Sequence, residues 1–327
     1  MKNYINFRYF LMLVFLSMLA CKAAQKNQQT INAEQSIYTW QENDKMLALL
    51  RHDTIIWQLN YDKTQDKPYF HPLRTPKGYD LTLERPDDHP WHRGLWFSWK
   101  DINGVNYWEE DPKKGVSEGR SIINSVHVET NRDFSAEVTI NISYEENSKP
   151  TLTEKRVLTI SSPSGQDDYT ISWHQTFTAR EDIRLYLEKP AKHGGVEWGG
   201  YAGLSFRAAA SLTAHQFLAS NGWTNANDLT GYGGKAAWMD LTAKVEGTKQ
   251  EYVGLTIFDH SQNRRHPSPW YIWFAAGQHV FFTPSLLFDE PMHLNAGDRF
   301  SLQYLTLIHD HKRTNTQLDQ QYKNYIK

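Results

Sequence analysis

From Asp168 to Thr178 the chain alternates large apolar and small polar side chains almost without a break. Tyr169, Ile171, Trp173 and Phe177 fall on one face, and Thr170, Ser172, His174 and Thr176 on the other. A period of two belongs to a strand with one side packed and one side wetter; a helix would scatter these residues around its circumference. Similar runs occupy 46–50, 54–59, 137–144, 155–161, 183–188, 252–258 and 300–309. Turn chemistry separates them, as at Asn103-Gly104, Pro163-Ser164-Gly165 and Asn295-Ala296-Gly297-Asp298. Only the last eleven residues, 317–327, carry a helical pattern. Many strands with no alternation of strand and helix predict an all-β protein, a single β-sandwich or jelly-roll-like domain with long loops and a short C-terminal helix.

The first residues obey a different logic. Lys2 and Arg8 precede a short apolar run, 10–20, which is too short for a permanent membrane span and has the form of a secretory signal. It ends in Met18-Leu19-Ala20-Cys21, small residues and then the one cysteine of the chain. That is the pattern of a bacterial lipobox, in which Cys21 is the lipidated residue. Residues 22–35 are rich in Gln, Asn, Ala and Lys and read as a flexible tether. The expected organisation is therefore a signal peptide at 1–20, a lipidated cysteine and tether at 21–36, and one β-sandwich domain at 37–327. The tether carries no acidic cluster, which favours an outer-membrane anchor facing the periplasm. With Cys21 spent on the anchor, the fold has no disulfide and must rest on its core.

A net charge of −2 gives no basic field for nucleic acid. The 12 Trp and 17 Tyr exceed what a core needs, and the surplus suits the walls of a ligand site. Much of it is concentrated in Asp88-His89-Pro90-Trp91-His92-Arg93-Gly94-Leu95-Trp96-Phe97-Ser98-Trp99. Pro90 and Gly94 make the first part of this segment a loop. Strand alternation from Leu95 then points Trp96 away from Phe97 and Trp99, which makes Trp96, with Trp108, a candidate sugar platform. A second polar and aromatic cluster follows downstream: Asp259-His260, then Asn263-Arg264-Arg265-His266-Pro267-Ser268-Pro269-Trp270.

Imidazoles move protons near neutral pH, and guanidinium forks grip carboxylates and sulfates at two points. His92 and His260 are thus the expected acid/base pair, with His89 orienting or substituting. Arg93, Arg207 and Arg265 are the expected anion grips, with Trp96, His266 and Tyr107 completing the substrate site. His89 and His92 also form a His-x-x-His half-site that would need a third ligand such as His260, so a divalent metal is the one cofactor to consider. Asp87-Asp88 and Glu109-Glu110-Asp111 raise glycoside hydrolysis, although an acidic run after a strand reads first as a solvated turn. No Gly-x-Ser-x-Gly elbow, Walker loop or dinucleotide fingerprint occurs.

At His71-Pro72-Leu73-Arg74-Thr75-Pro76, Asp88-His89-Pro90-Trp91-His92-Arg93-Gly94, Asn103-Gly104-Val105-Asn106-Tyr107-Trp108 and Phe281-Phe282-Thr283-Pro284 the chain resembles the PmoA-like (DUF6807-type) family of bacterial polysaccharide-utilisation proteins. The resemblance runs over 46–309. It implies a β-sandwich and a glycan-processing role, and it brings no settled catalytic set. Imidazoles and arginines without a convincing carboxylate pair favour elimination over hydrolysis. The expected activity is that of a carbon–oxygen lyase, a dehydratase removing water from the non-reducing-end uronate of an anionic, ulvan-type oligosaccharide. A polysaccharide lyase, a glycoside hydrolase and a non-catalytic glycan-binding lipoprotein are the alternatives.

Overall fold

The computed structural model describes residues 37–163, 165, 167–224, 229–230, 233–249, 251–274 and 280–327. The signal, Cys21 and the tether lie outside the described residues. Chain contacts divide the protein into Met1–Thr39 and Trp40–Lys327, and the second unit holds the features that follow.

Its strands form antiparallel sheets. In one, Met46–Arg51, Thr54–Asn60, Tyr69–Leu73, Leu95–Ser98, Gly203–Arg207, Phe281–Pro284 and Trp270–Phe274 lie side by side in that order. In the second the order is Leu212–Ala219, Trp238–Val245, Tyr252–Asp259, Arg299–Asp310, Asp168–Ala179, Lys149–Ile160, Ala136–Glu146 and Arg120–Thr130. A small third sheet joins Met292–Leu294, Ile183–Tyr186, Asp101–Ile102 and Val105–Asn106. The expected all-β sandwich with a short C-terminal helix, Asn315–Tyr325, is what the chain builds. Among the described residues no helix is long and apolar enough to cross a membrane.

The alternating strand sits deep inside the second sheet, with Asp168 opposite His309 and Thr178 opposite Arg299. Its apolar face meets the first sheet. Trp173 packs edge-on against Phe70, ring centroids 5.7 Å apart, and Phe177 lies 5.7 Å from Phe97 and 5.2 Å from Trp99. These rings are fully buried, and each removes a large apolar area from water, which at about 25 cal/mol per Å² is the main force holding the layers together.

The same alternation has a second consequence. Phe70, Phe97, Ile272 and Phe282 are all buried, and Phe70 and Phe97 face the sandwich interior. Their strand neighbours Tyr69, Trp96, Tyr271 and Phe281 therefore project from the opposite face of the first sheet, where they pack together with Trp108, Ala202 and Phe288. Trp96 does point away from Phe97 and Trp99. The face it shares is where the candidate site forms.

Candidate active site

The segment that delivers the histidines is a loop closed on itself. Glu84 and Arg93 pair as an isolated bridge, the Arg85 amide donates to the His92 carbonyl at 2.8 Å, and the His92 amide donates to that of His89 at 2.9 Å. Gly94 then turns the chain into Leu95–Ser98 at φ +77°, and a Cβ there would stand 2.7 Å from the Phe70 carbonyl oxygen. Only glycine meets both demands. The result is that His92 comes to lie over Trp96 and Phe281, at 5.1 Å from each, with His89 stacked on it at 4.6 Å.

A cavity of about 380 Å³ opens here. Its polar lining is His89, His92, Glu109 and Arg207; the rest is aromatic, from Trp91, Trp198, Tyr201, Tyr271, Trp273 and Phe281. Arg207 ends the strand Gly203–Arg207 opposite Phe281, and its Nη2 donates to Asp88 Oδ2 at 2.6 Å. The same carboxylate oxygen is 2.9 Å from His89 Nδ1. Burial works to raise the Asp88 carboxyl, but the hydrogen bond from Arg207 and the contact with His89 outweigh it and hold it below the usual range. The ionised carboxylate accepts Nδ1–H of His89, which leaves Nε2 as the ring nitrogen not engaged by Asp88.

His92 is set differently. It is buried, and among the described residues neither of its ring nitrogens has a hydrogen-bond partner; Nδ1 is wholly enclosed. Burial first, then the charges of His89, Arg207 and Lys67, push its pKa well below the ordinary value, so it is neutral at pH 7. Arg207 Nε is likewise buried without a partner. Such orphaned groups are costly in a core and characteristic of a ligand site.

Glu109 forms the other polar corner. Asn106 Oδ1 accepts from the Trp108 and Glu109 amides at 2.8 and 3.1 Å, which turns the chain after Val105–Asn106. Glu109 then accepts from Lys100, Asn106 and the Tyr201 hydroxyl, the last at 3.0 Å. Burial opposes ionisation, yet Lys100 prevails with help from Asn106 and Tyr201, and the carboxyl stays below its usual range. Tyr201 is driven strongly upward by burial and then by Glu109 and Glu188, so its phenol keeps its proton. At neutral pH the pocket therefore presents the Glu109 carboxylate, the neutral imidazole of His92, the imidazole of His89, a guanidinium and a phenol, with the Asp88 carboxylate bonded to His89 and Arg207.

Several expected residues stand elsewhere. Arg93 lies beside the pocket residues but is buried and spent: Nη2 donates to both oxygens of Glu110 at 2.8 and 2.7 Å, and Nη1 to Glu84 and Gln65. Glu110 also takes Lys67 at 3.1 Å, so Glu109-Glu110 is no solvated turn; one carboxylate faces the pocket and the other clamps the loop. Trp96 and Trp108 are buried, 5.3 Å apart, as a second layer beneath the lining. Tyr107 is buried against Tyr144 and Gly119.

The downstream cluster belongs to the second sheet. His260 packs edge-on to Tyr325 of the C-terminal helix at 5.0 Å, so it does not pair with His92. His266 bridges Asp259, at 3.0 Å from Oδ2, and the Tyr322 hydroxyl at 3.2 Å. Arg265 donates to the carbonyl oxygens of Leu286, Glu290 and Pro291, which spends its fork on the backbone, and Arg264 lies over the ring of Phe300. Of the expected set, His89, His92 and Arg207 meet in the pocket. A metal held by His89, His92 and His260 has no support in these positions; among the described residues no three His, Cys, Asp or Glu gather at a metal-binding distance.

Sequence reasoning missed Lys100, Trp198, Tyr201, Tyr271 and Trp273, and gave Glu109 a different part. Tyr271 and Trp273 carried a readable signal, alternating with buried Ile272 in Trp270–Phe274. Tyr201 and Lys100 gave none, since what brings them to Glu109 is tertiary.

The fold is a β-sandwich with an aromatic-walled pocket, the candidate site, on the outer face of one sheet. The chain belongs to the family of unknown function DUF6807, which it matches over residues 46–323. None of the curated proteins matches it in sequence. Among solved structures it is similar to the GH36 α-galactosidase AgaB from Geobacillus stearothermophilus, with 11% identity, 83% of this chain and 40% of that one covered, and a TM-score of 0.41. An α-galactosidase from Lactobacillus brevis gives 10%, 87%, 40% and 0.40. The polysaccharide lyase BACCELL_00875 gives 11%, 85%, 33% and 0.32. The chain spans about two fifths of the length of these α-galactosidases.

Proposed function

We propose that this protein is a saccharide-processing lyase whose pocket takes the non-reducing-end uronate of an anionic oligosaccharide and removes water from it. The observation that carries this reading is the Asp88–His89–Arg207 arrangement beside a neutral His92, in a cavity otherwise walled by aromatic rings. Aromatic faces suit the apolar faces of pyranose rings. Arg207 supplies the positive charge for the uronate carboxylate, aided by an N–H of His92, and so acidifies C5–H. His89 Nε2 takes that proton while Asp88 stabilises the imidazolium that forms. The C4–O bond breaks as the C4=C5 bond forms, and the imidazolium returns its proton to the departing oxygen as water. One proton is taken and the same proton is returned, so no co-reactant is required.

Hydrolysis fits less well. It needs a carboxylic acid held protonated for the leaving oxygen, and both Asp88 and Glu109 are held ionised. The test is to mix the purified protein with uronate-terminated oligosaccharides and follow ultraviolet absorbance together with product mass. Absorbance with loss of one water supports the dehydratase. Absorbance with chain cleavage replaces it with a polysaccharide lyase, and cleavage without absorbance with a hydrolase. Binding with no turnover makes the protein a glycan-binding one.

The sequence also supports a lipid anchor at Cys21 that holds the catalytic domain at the outer membrane, facing the periplasm, where imported oligosaccharides arrive. Cys21→Ser should abolish incorporation of labelled palmitate and move the protein from the membrane to the soluble fraction. Labelling that persists would remove the anchor.

A further inference from the structure

Among the described residues Trp198 is the one large hydrophobic side chain that is clearly exposed, at 54%, and it lines the pocket. We infer that Trp198 is the platform for the sugar ring next to the reacting one, so that the site is built for a chain end of at least two rings. This inference rests on the saccharide reading given above.

The loop that holds Trp198 is tightly built. Its backbone folds back through Gly195 N–H to Pro190 O at 3.0 Å, Val196 N–H to Lys189 O at 2.9 Å and Gly199 N–H to Val196 O at 3.0 Å. A Cβ on Gly195 or Gly199 would fall 1.8 or 2.2 Å from the Lys189 carbonyl oxygen, so the loop can close this tightly only with glycine on both sides of Val196-Glu197-Trp198. His193, at the end of the short 3-10 helix Ala191–His193, ties the loop to Asp289 at 3.0 Å. A loop that is itself pinned, yet leaves an indole half in water, keeps an apolar face ready for an apolar partner.

The pocket's size and polarity point to the same occupant. At about 380 Å³ the cavity is near the small end of the roughly 300–1,000 Å³ typical of ligand sites, which suits a chain end of few rings rather than a long run of them. His89, His92, Arg207, Glu109 and Tyr201 supply the hydrogen-bonding groups of the lining, and Trp198 is the lining ring that is clearly exposed. A pyranose ring is the partner that presents an apolar face while hydrogen-bonding at its edges to water. A covered, stacked indole adds affinity without touching the reacting atoms.

The test measures binding calorimetrically, with and without turnover, for a uronic acid methyl glycoside and for the uronate-terminated disaccharide. Wild type should bind the disaccharide about tenfold more tightly than the single ring, the usual worth of one aromatic stack. Trp198→Ala should erase that gap, Trp198→Phe should keep most of it, and circular dichroism should show both variants folded. Equal affinity of wild type for the two ligands, or an equal loss on both in Trp198→Ala, would overturn the platform. Binding is read apart from chemistry, so disaccharide affinity that depends on Trp198 without any absorbance change would retain the platform and remove only the elimination.

Discussion

At the scale of single residues, the pocket depends on one carboxylate doing two jobs. Asp88 fixes the tautomer of His89 and holds the guanidinium of Arg207. Asp88→Asn should therefore lower kcat by about 10²- to 10⁴-fold, the usual worth of one positioned proton-transfer group, while the far-ultraviolet spectrum stays that of the wild type. Arg207→Lys keeps the charge and loses the fork. It should raise KM for a uronate substrate about 10- to 100-fold, as expected for a charge-assisted hydrogen bond worth about 1.5–3 kcal/mol. An unchanged KM would show that Arg207 does not touch the carboxylate.

Two imidazoles also tie folding to pH. Burial holds His92 well below its ordinary value, and burial lowers His215 to about 4. Both are easier to protonate in the unfolded chain. Above the unfolded value of about 6.5 neither costs stability. As pH falls below it the unfolded state takes up protons first, so stability drops, by at most about 1.4 kcal/mol per pH unit for each group, until the folded value is reached. Urea midpoints measured from pH 7 down to 4 should fall, and His92→Asn should flatten the slope. Burial raises the Asp66, Asp101 and Asp310 carboxyls, Asp101 to about 6, and these act with the opposite sign, so the decisive comparison is between variants: an equal slope in wild type and His92→Asn would contradict the burial of His92 as a neutral ring.

At the scale of elements, what a strand buries and what it displays are fixed by the same alternation. Phe177 sits between Phe97, Trp99 and Phe300, the last stacked at 4.9 Å. Phe177→Ala should cost about 3–5 kcal/mol in urea unfolding and leave affinity for saccharide unaltered in the folded protein. Gly94→Ala should lose stability and site together, because both its positive φ and its contact with Phe70 O resist a side chain. Alternation is also why the strands were legible: 54–59, 168–178 and 300–309 carry the pattern locally, and Thr54–Asn60, Asp168–Ala179 and Arg299–Asp310 form there. It made the orientation of Trp96 legible as well, whereas His89 and His92 were legible from the composition of their loop. The rest of the site was hidden because its members meet across elements. Glu109 reaches Tyr201 across 92 residues of sequence, a juxtaposition no local pattern encodes. The downstream His260 and His266 misled for a related reason: a segment that must dock an aromatic helix through Asp259 and Tyr322 has the same composition as one that must line a pocket.

At the scale of the whole molecule, the ends of the work are divided between sheets. The C-terminal helix opens with a capping box, Thr314 with Gln317, and seats Leu318 against Trp238, Phe258 and Leu307 of the second sheet. Asp319 accepts from the Trp238 indole at 3.0 Å. Truncation after Arg313 should lower the melting temperature and expose an apolar surface that binds a hydrophobic dye, whereas the pocket, on the first sheet, should keep its ligand affinity in the protein that remains folded. Loss of affinity in step with truncation would mean that the two sheets are coupled more tightly than their separate contacts indicate.

The placement of Tyr271, Trp273 and Phe281 on strands whose alternate residues belong to the interior has a use for engineering. A substitution library confined to these three positions leaves Ile272 and Phe282, and with them the packing between the sheets, unchanged. Tyr271 and Phe281 are themselves buried in the outer aromatic cluster, so each member of such a library exchanges some packing on that face for a new wall, and the melting temperature has to be screened together with ligand preference.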